Sequence, residues 1–440
     1  MDTSLLIDQA ANTSSSEPEW ISTRALLTVT GTTRSTTSRP PLALGLVIDR
    51  SGSMDGVRID AARLAAARAV ERLGHTDIVS AVAFDTEIEE LAPPRRRAEQ
   101  HTLLPRLREL DARGSTNLSG GWLLGRRHME ASRALLGEIP GVSRRVVLIT
   151  DGHANEGITD VSSLVELARS ARASGITTTT IGIGDGYDDA LLRAMADAGG
   201  GNAWYVERPE QAHDVLAEEL GNLLSLAAQG LRVTLTLAPS VSIATVHSTW
   251  PMMSVNSGVV QFDLGDLYAS EPKPLLLELR VWPTDTPRDA SMHIATLTIR
   301  ADVLCDDGSI EERTITMPIN RPDAAQPDVL PVIQHAVLLA RAAAAREEAA
   351  RRQREGDGDG AATVMREASN ALRSDLSDID GEFASDVSAQ AEDLSRLAEQ
   401  YETHAFSEAD AKYQMQRSYN ARRGKRRYDE LLSRPVDEPR

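Results

Sequence analysis

The amino-acid sequence predicts an α/β fold: a doubly wound domain over residues 40–228, inserted in or followed by an antiparallel β-sandwich, with a C-terminal helical region. Three observations lead to this prediction. Apolar strands alternate with helical segments up to residue 228, the hydrophobic period changes to two after Gly230, and the composition becomes rich in Ala and Arg after Asp328. Because each pattern is typical of a different layer architecture, the 440-residue chain is expected to hold several domains.

The N-terminal segment contains two parts with different character. Residues 1–19 are polar and rich in Ser and Thr, which predicts disorder. Residues 20–31 form an amphipathic segment that predicts a strand. Such a strand is not stable alone, and its alternation matches that of the strands after residue 230. We therefore predict that it joins the β domain, so that the α/β domain is inserted in the β-sandwich.

Apolar-rich segments define the predicted α/β domain. LALGLVI (42–48) is a continuous apolar run, as expected for a central parallel strand buried on both faces, while IVSAVAF (78–84) predicts a second strand and RVVLIT (145–150) a third, buried strand. Helical segments follow them, the first an Ala-rich stretch at residues 57–73. This alternation predicts a sheet with right-handed crossovers, whose ligand crevice lies at the carboxyl ends of the strands.

The second half of the chain changes period twice. Residues 231–321 alternate with a period of two and contain the hairpin signal Asp307-Gly308, which predicts an antiparallel β domain. Residues 328–433 have a helical pattern, which the GDGDG segment at 356–360 interrupts. The sequence therefore predicts a helical hairpin with a tail at this end of the chain.

Charge and cysteine count exclude several classes of function. A net charge of -18 argues against a general nucleic-acid-binding protein, because phosphate binding requires a basic surface. The only cysteine, Cys305, allows neither an internal disulfide nor a thiolate zinc cage. No signal-peptide pattern begins the sequence, and no apolar run is long enough to span a bilayer. We expect a cytoplasmic protein without nucleic-acid or membrane partners.

Oxygen-bearing side chains occupy three predicted turns of the α/β domain. Asp49, Ser51 and Ser53 follow the first strand, Thr116 precedes a helix, and Asp151 follows another strand. Because these turns meet at one edge of the sheet, the five side chains are expected to surround one hard cation: Mg²⁺, or alternatively Mn²⁺ or Ca²⁺. The three hydroxyls are neutral, so if the two aspartates act through bound water the ion stays strongly electrophilic, and an open coordination position then favours a carboxylate from outside.

The segments DRSGS, GSTN and ITDG resemble the metal-ion-dependent adhesion site of von Willebrand factor A domains. The resemblance covers residues 40–228 and implies a Rossmann-like fold. It also implies that the two serines and the threonine bind the metal directly, and that Asp49 and Asp151 bind it directly or through water. The DGHANEG segment and the β domain after it are more similar to inter-alpha-trypsin-inhibitor heavy chains and related bacterial proteins than to integrin inserts.

The resemblance implies a non-catalytic scaffold that grips an Asp or Glu of a partner protein. Related bacterial proteins act near kinases, phosphatases or AAA+ ATPases, so these systems are expected sources of the partner. Two alternatives remain. The metal could activate water in a hydrolase, although no nucleophile or base with a partner is visible near the motif. The domain could also be autoinhibited by the chain's own acidic helical tail.

Other motifs carry weaker signals. Gly182, Gly184 and Gly186 mimic a dinucleotide fingerprint but lack its spacing, so a turn into a helix is the better interpretation. His153 is expected to be a bystander near the metal site. The basic cluster at 422–427 is interpreted as a solvated helix face or an ion-pair partner, with contact to an acidic partner or nucleic acid as the alternative.

Overall fold

The structure is a computed structural model, in which the chain forms two compact units. One unit is built mainly from Thr33–Gln229, and the other from Met1–Thr32, Gly230–Asp302 and Glu312–Asp429. The structure describes residues 1–9, 20–33, 39–137, 142–184, 186–282, 292–307, 309–321, 329–378, 381–403 and 406–425.

Two N-terminal strands form an antiparallel pair. Strand β1 (Asp2–Gln9) pairs with β2 (Ile21–Thr30). The prediction of disorder is therefore wrong for Asp2–Gln9, whereas residues 10–19 lie outside the described part of the chain. The polar composition was misleading because Asp8 is buried in an ion pair with Arg24, at 2.6 Å between Oδ2 and Nη2.

The α/β unit contains a six-stranded sheet in the order β5-β4-β3-β6-β7-β8. Its strands are β3 (Leu42–Asp49), β4 (Ile78–Phe84), β5 (Ile88–Arg96), β6 (Ser143–Thr150), β7 (Ile176–Ile183) and β8 (Gly200–Val206). Its helices are α1 (Val57–Arg72), α2 (Leu103–Arg108), α3 (Leu118–Leu136), α4 (Val161–Ala173), α5 (Asp189–Gly199) and α6 (Ala212–Leu224). All strands are parallel to their neighbours except β5, which pairs antiparallel with β4.

Strand β5 is not among the strands that the apolar segments of the sequence predict. Its two prolines, Pro93 and Pro94, cannot donate to a strand ladder, which confines them to edge strands such as this one. The alternation of apolar and polar residues along β5 is correspondingly weak. The apolar runs at 42–48 and 78–84, in contrast, form fully buried strands.

Helix α3 packs unusually close to the sheet. A Cβ on its Gly125 would lie 2.4 Å from Cγ2 of Val47, and a Cβ on Gly121 would lie 2.5 Å from Cδ1 of Phe84. Only glycine permits this approach at both positions. Because α3 begins at Leu118, the close packing also fixes the loop that carries Thr116.

The remaining strands form two further sheets. The strands are β9 (Leu226–Leu237), β10 (Val241–Val246), β11 (Met252–Asn256), β12 (Val259–Tyr268), β13 (Pro272–Val281), β14 (Met292–Leu304) and β15 (Ile310–Arg321). One sheet has the order β1-β2-β13-β10 and the other β11-β12-β9-β14-β15. Strand β2 pairs antiparallel with β13, from Thr30 opposite Pro272 to Ile21 opposite Val281. Gly308 of the predicted hairpin signal lies outside the described residues.

In the part of the chain that the structure describes, four helices follow the sheets. They are α7 (Pro331–Arg354), α8 (Gly358–Ser374), α9 (Gly381–Glu402) and α10 (Glu408–Arg422). Helix α7 packs its Ile333 and Val337 against Leu26 and Leu276 of β2 and β13. The GDGDG segment begins α8, because the Asp357 side chain accepts a hydrogen bond from the Gly360 amide at 2.9 Å. Among the described residues, none of the helices combines the length and apolarity that a bilayer crossing requires.

Candidate metal site

The five predicted ligand residues lie at the carboxyl edge of the six-stranded sheet. Asp49 ends β3, Ser51 and Ser53 follow it, and Asp151 directly follows β6. Strands β3 and β6 are parallel neighbours, while β4 flanks β3 on its other side. The connections after β3 and β6 therefore leave in opposite directions, which opens a crevice at this point. Thr116 reaches the same crevice from the loop before α3.

Asp49 is a fully buried carboxylate. Its Oδ1 accepts the Ser51 amide at 2.7 Å, and its Oδ2 accepts the Thr150 hydroxyl at 2.5 Å. Burial raises the pKa of Asp49 to about 6, and the two hydrogen bonds only partly oppose this. Within the described residues no Lys or Arg pairs with Asp49. A buried carboxylate without a cation fits a site that a metal ion completes.

The serine hydroxyls link the two carboxylates. Ser53 lies in a short 3₁₀ helix, Gly52–Met54, and its Oγ donates to Oδ1 of Asp151 at 2.7 Å. The hydroxyls of Ser51 and Ser53 lie 3.1 Å apart. Asp151 is buried, and burial raises its pKa. Three of the five predicted ligands are thus in direct contact through oxygen atoms, which are the donors that a hard cation prefers.

Thr116 lies across Gly152 from Asp49. A Cβ on Gly152 would lie 3.1 Å from Oγ1 of Thr116 and 3.6 Å from Oδ2 of Asp49. The Thr116 carbonyl accepts the amides of Asn155 and Glu156 at 3.0 and 3.1 Å, which ties its loop to the segment after β6. The structure therefore brings all five predicted residues to one crevice. Glycine at position 152 keeps the space between them open.

Within the described residues, no group of three or more His, Cys, Asp or Glu side chains lies close enough to hold a metal. The set at this edge contains two carboxylates and three hydroxyls instead. His153 is exposed beside it. Any ion bound here would therefore have an oxygen-only protein environment.

A charge cluster that the sequence analysis missed holds two of the turns together. Asp85 accepts Nε of Arg50 at 2.8 Å and Nε of Arg113 at 3.0 Å. Its carbonyl accepts the Asn117 amide at 3.0 Å, and the Arg113 amide donates to the Arg50 carbonyl at 2.7 Å. Burial opposes ionisation of Asp85, but the Glu87 amide and the two arginines outweigh it and lower its pKa. The cluster fixes the DRSGS turn relative to the loop of Thr116.

Sequence signals for this cluster were weak. Arg50 and Asp85 each follow a parallel strand, β3 and β4 respectively, so both positions lie at the same sheet edge. Arg113, however, lies in a loop whose direction no periodicity predicts. Only the folded chain shows that the three side chains meet.

The basic cluster at 422–427 makes internal contacts in its described part. Arg422 donates to Glu347 at 2.7 Å between Nη1 and Oε2. Lys425 lies 3.3 Å from Glu271, and both side chains are buried. The last two residues of the cluster lie outside the described residues. The described contacts indicate an ion-pair role within the chain.

Residues 44–218 match the family model of the von Willebrand factor type A domain. The uncharacterized protein sll0103 of Synechocystis sp. is 27% identical over 342 residues, which cover 75% of this chain and 78% of that protein. The inter-alpha-trypsin inhibitor heavy chain H1 of Homo sapiens is 26% identical over 194 residues, or 43% of this chain and 21% of that protein. The chain thus spans about a fifth of the human relative.

Two solved structures share the architecture over nearly the whole chain. A von Willebrand factor type A protein from Catenulispora acidiphila superposes with a TM-score of 0.69 at 17% identity, and covers 96% of both chains. The ArnB paralog VWA2 from Sulfolobus acidocaldarius gives a TM-score of 0.53 at 15% identity, with 96% of this chain and 99% of that chain covered. At these identities the likeness shows the fold, which confirms the predicted fold class.

Proposed function

Because residues 44–218 form a von Willebrand factor type A domain, we propose that this domain is a non-catalytic, metal-dependent protein-binding module. A single Mg²⁺ or Mn²⁺ at the sheet edge holds an Asp or Glu side chain of a partner protein. The proposed ligands are Asp49, Ser51, Ser53, Thr116 and Asp151.

One observation carries the proposal. Among the described residues no Lys or Arg pairs with Asp49, which is buried at a crevice where Ser51, Ser53 and Thr116 present hydroxyl groups. A divalent ion would neutralise the buried charge and find the oxygen donors that it prefers. The three hydroxyls are neutral, so if the two aspartates bind the ion only through water, the ligands in direct contact leave its charge uncompensated. When bound, the ion would therefore attract a carboxylate, which binds it strongly in a partly desolvated crevice.

The surroundings of the two carboxylates favour binding over hydrolysis. Asp49 accepts from an amide and from the Thr150 hydroxyl, and Asp151 accepts from Ser53 and Arg58. Within the described residues, these hydrogen bonds connect the two aspartates through the serine hydroxyls but lead to no histidine and to no further carboxylate that would serve as a general base. The partner would belong to a kinase, phosphatase or AAA+ ATPase system, as the resemblance to bacterial proteins implies.

The experiment is a calorimetric titration of Mn²⁺ into metal-free protein. We expect one site in the wild type, at least tenfold weaker binding in Thr116→Ala and no measurable binding in Asp151→Ala. Thr76→Ala is the matched control, because it removes the same hydroxyl from an exposed position of the same domain. Equal Mn²⁺ affinity in Thr116→Ala and the wild type would remove Thr116 from the ligand set.

A capture experiment tests the role of the partner. Wild-type protein immobilised with Mg²⁺ should retain a partner that EDTA releases, and Thr116→Ala should fail to retain it at unchanged stability. A partner that remains bound in EDTA and to the variant would show that another surface binds it.

A further inference from the structure

Arg58 is a cationic side chain within the candidate site. It lies in the first turn of α1, and its Nη1 donates to Oδ2 of Asp151 at 3.0 Å and to the Ser53 carbonyl at 2.9 Å. Its side chain is 34% exposed, so the guanidinium reaches from the buried carboxylate to the rim of the crevice. Arg58 therefore contacts two of the proposed ligand residues directly, one through its carboxylate and one through its carbonyl, and remains accessible to an incoming group.

The glycine-rich turn after β7 leaves room for this guanidinium. A Cβ on Gly184 would lie 2.9 Å from Nε and 3.3 Å from Nη2 of Arg58, and Gly184 has a φ of +75° that favours glycine. The turn resembles a dinucleotide fingerprint in sequence, but in the structure it borders an arginine. Its glycine at position 184 is thus explained by the placement of Arg58 beside Asp151.

We propose that Arg58 is the specificity-determining residue of this site: it makes the site selective for an anionic partner group at the cost of weaker metal binding. The inference rests on the proposed function. Asp49, Asp151 and a divalent ion together sum to zero charge, so Arg58 gives the loaded site a net charge of about +1. The same positive charge repels the ion when it approaches Asp151, whose Oδ2 is already paired.

Removal of the charge should therefore have two effects of opposite sign. Arg58→Met keeps most of the side-chain volume and removes the charge. Metal-free Arg58→Met should bind Mn²⁺ about fivefold more tightly than the wild type, because one like charge is lost. Arg58→Lys, which keeps the charge, should bind Mn²⁺ with nearly wild-type affinity.

Acetate serves as the probe for the anionic group. In Mn²⁺-loaded protein, acetate displaces water from the ion, and the fall in water-proton relaxation enhancement measures its binding. Arg58→Met should require about fivefold more acetate than the wild type. Arg68→Ala is the matched control for both measurements. It removes the same charge from an exposed position of α1, ten residues and about 15 Å further along the helix.

A merely structural role of Arg58 would weaken both metal and acetate binding, and that result overturns the inference. Unchanged Mn²⁺ affinity in Arg58→Met also overturns it, as does an equal effect of Arg68→Ala. Circular dichroism on each variant checks the fold, and Arg58→Gln replaces Arg58→Met if the latter is unfolded.

If the wild type binds no Mn²⁺, the proposed function itself fails. If it binds Mn²⁺ and Arg58→Met behaves identically, only the inference about Arg58 fails.

Discussion

Buried charged side chains at the two ends of the six-stranded sheet have different partners. Near the amino end of β6, Arg145 and Glu219 are fully buried and paired at 2.7 Å. Glu219 also accepts hydrogen bonds from Thr179, Asn202 and Trp204. At the carboxyl end, Asp49 is equally buried but pairs with no cation among the described residues. The first arrangement is complete within the chain, whereas the second fits a cation from solution.

The two ends thus differ in role: the charged side chains at the amino end stabilise the fold, whereas the carboxylate at the carboxyl end is suited to bind an ion. Removal of one partner of a buried ion pair destabilises the fold strongly, because the other charge is left buried and unpaired. A buried carboxylate without a cation destabilises the metal-free fold, and binding of an ion offsets that cost. Substitutions at the two ends should therefore change stability in opposite directions.

The largest expected effect is at the amino end. Glu219→Ala leaves Arg145 buried without its carboxylate and should lower the free energy of unfolding by about 3–5 kcal/mol. Urea unfolding measures this loss. Glu71→Ala, which removes an exposed carboxylate on α1, should leave the free energy nearly unchanged. Glu219→Gln keeps some of the hydrogen bonds and should be intermediate. A Glu219→Ala variant as stable as the wild type would contradict the structural role of the pair.

A smaller effect of opposite sign is expected at the carboxyl end. The folded protein raises the pKa of Asp49 from 3.8 to about 6, so the folded state binds this proton more tightly than the unfolded state. The ionised side chain therefore costs stability, and the cost grows as the pH rises from about 4 to about 6. Asp49→Asn should stabilise the metal-free protein at pH 7.5 by up to about 3 kcal/mol.

Thermal unfolding in EDTA and in Mn²⁺ tests whether Asp49→Asn stabilises the metal-free protein. In EDTA, Asp49→Asn should unfold at a higher temperature than the wild type, and the difference should shrink towards pH 4. In Mn²⁺ the order should reverse, because only the wild type gains stability from the ion. A variant that is less stable than the wild type in EDTA would show that Asp49 is a structural residue like Glu219.

The smallest expected effect concerns the cluster that positions the site. Asp85→Ala removes the acceptor shared by Arg50 and Arg113 and should weaken Mn²⁺ binding about tenfold, which corresponds to about 1.4 kcal/mol. Glu87→Ala is the control, because it removes an exposed carboxylate 3.7 Å from the same Arg113. Equal Mn²⁺ affinities of Asp85→Ala and Glu87→Ala in calorimetry would show that the cluster does not position the ligands.

The sequence predicted those elements that local patterns determine. The continuous apolar run at 42–48 became the central strand β3 and the apolar-rich segment at 145–150 became β6, because strands buried on both faces are mostly apolar. Strand β1 was missed because its polar residues are stabilised by a distant partner, as Asp8 is by Arg24. Strand β5 was missed because Pro93 and Pro94 are compatible with a strand only at a sheet edge.

The same limit applies to the site. Two of the three motifs place oxygen ligands at the ends of β3 and β6, so the proximity of those ligands followed from the topology of parallel strands. The roles of Arg58 and Asp85 did not follow. Arg58 contacts Asp151, 93 residues further along the chain, and Asp85 lies 35 residues from Arg50. No local period reports such contacts between side chains.

Anomalous diffraction from crystals grown with Mn²⁺ tests the central claim most directly. We predict one strong anomalous peak per chain at the carboxyl edge of the sheet, within about 2.5 Å of the hydroxyl oxygens of Ser51, Ser53 and Thr116. Crystals of Asp151→Ala grown in the same way should lack it. A wild-type map without a peak at this edge, or with its strongest peak bound to other residues, would contradict the assignment of this crevice as a metal site.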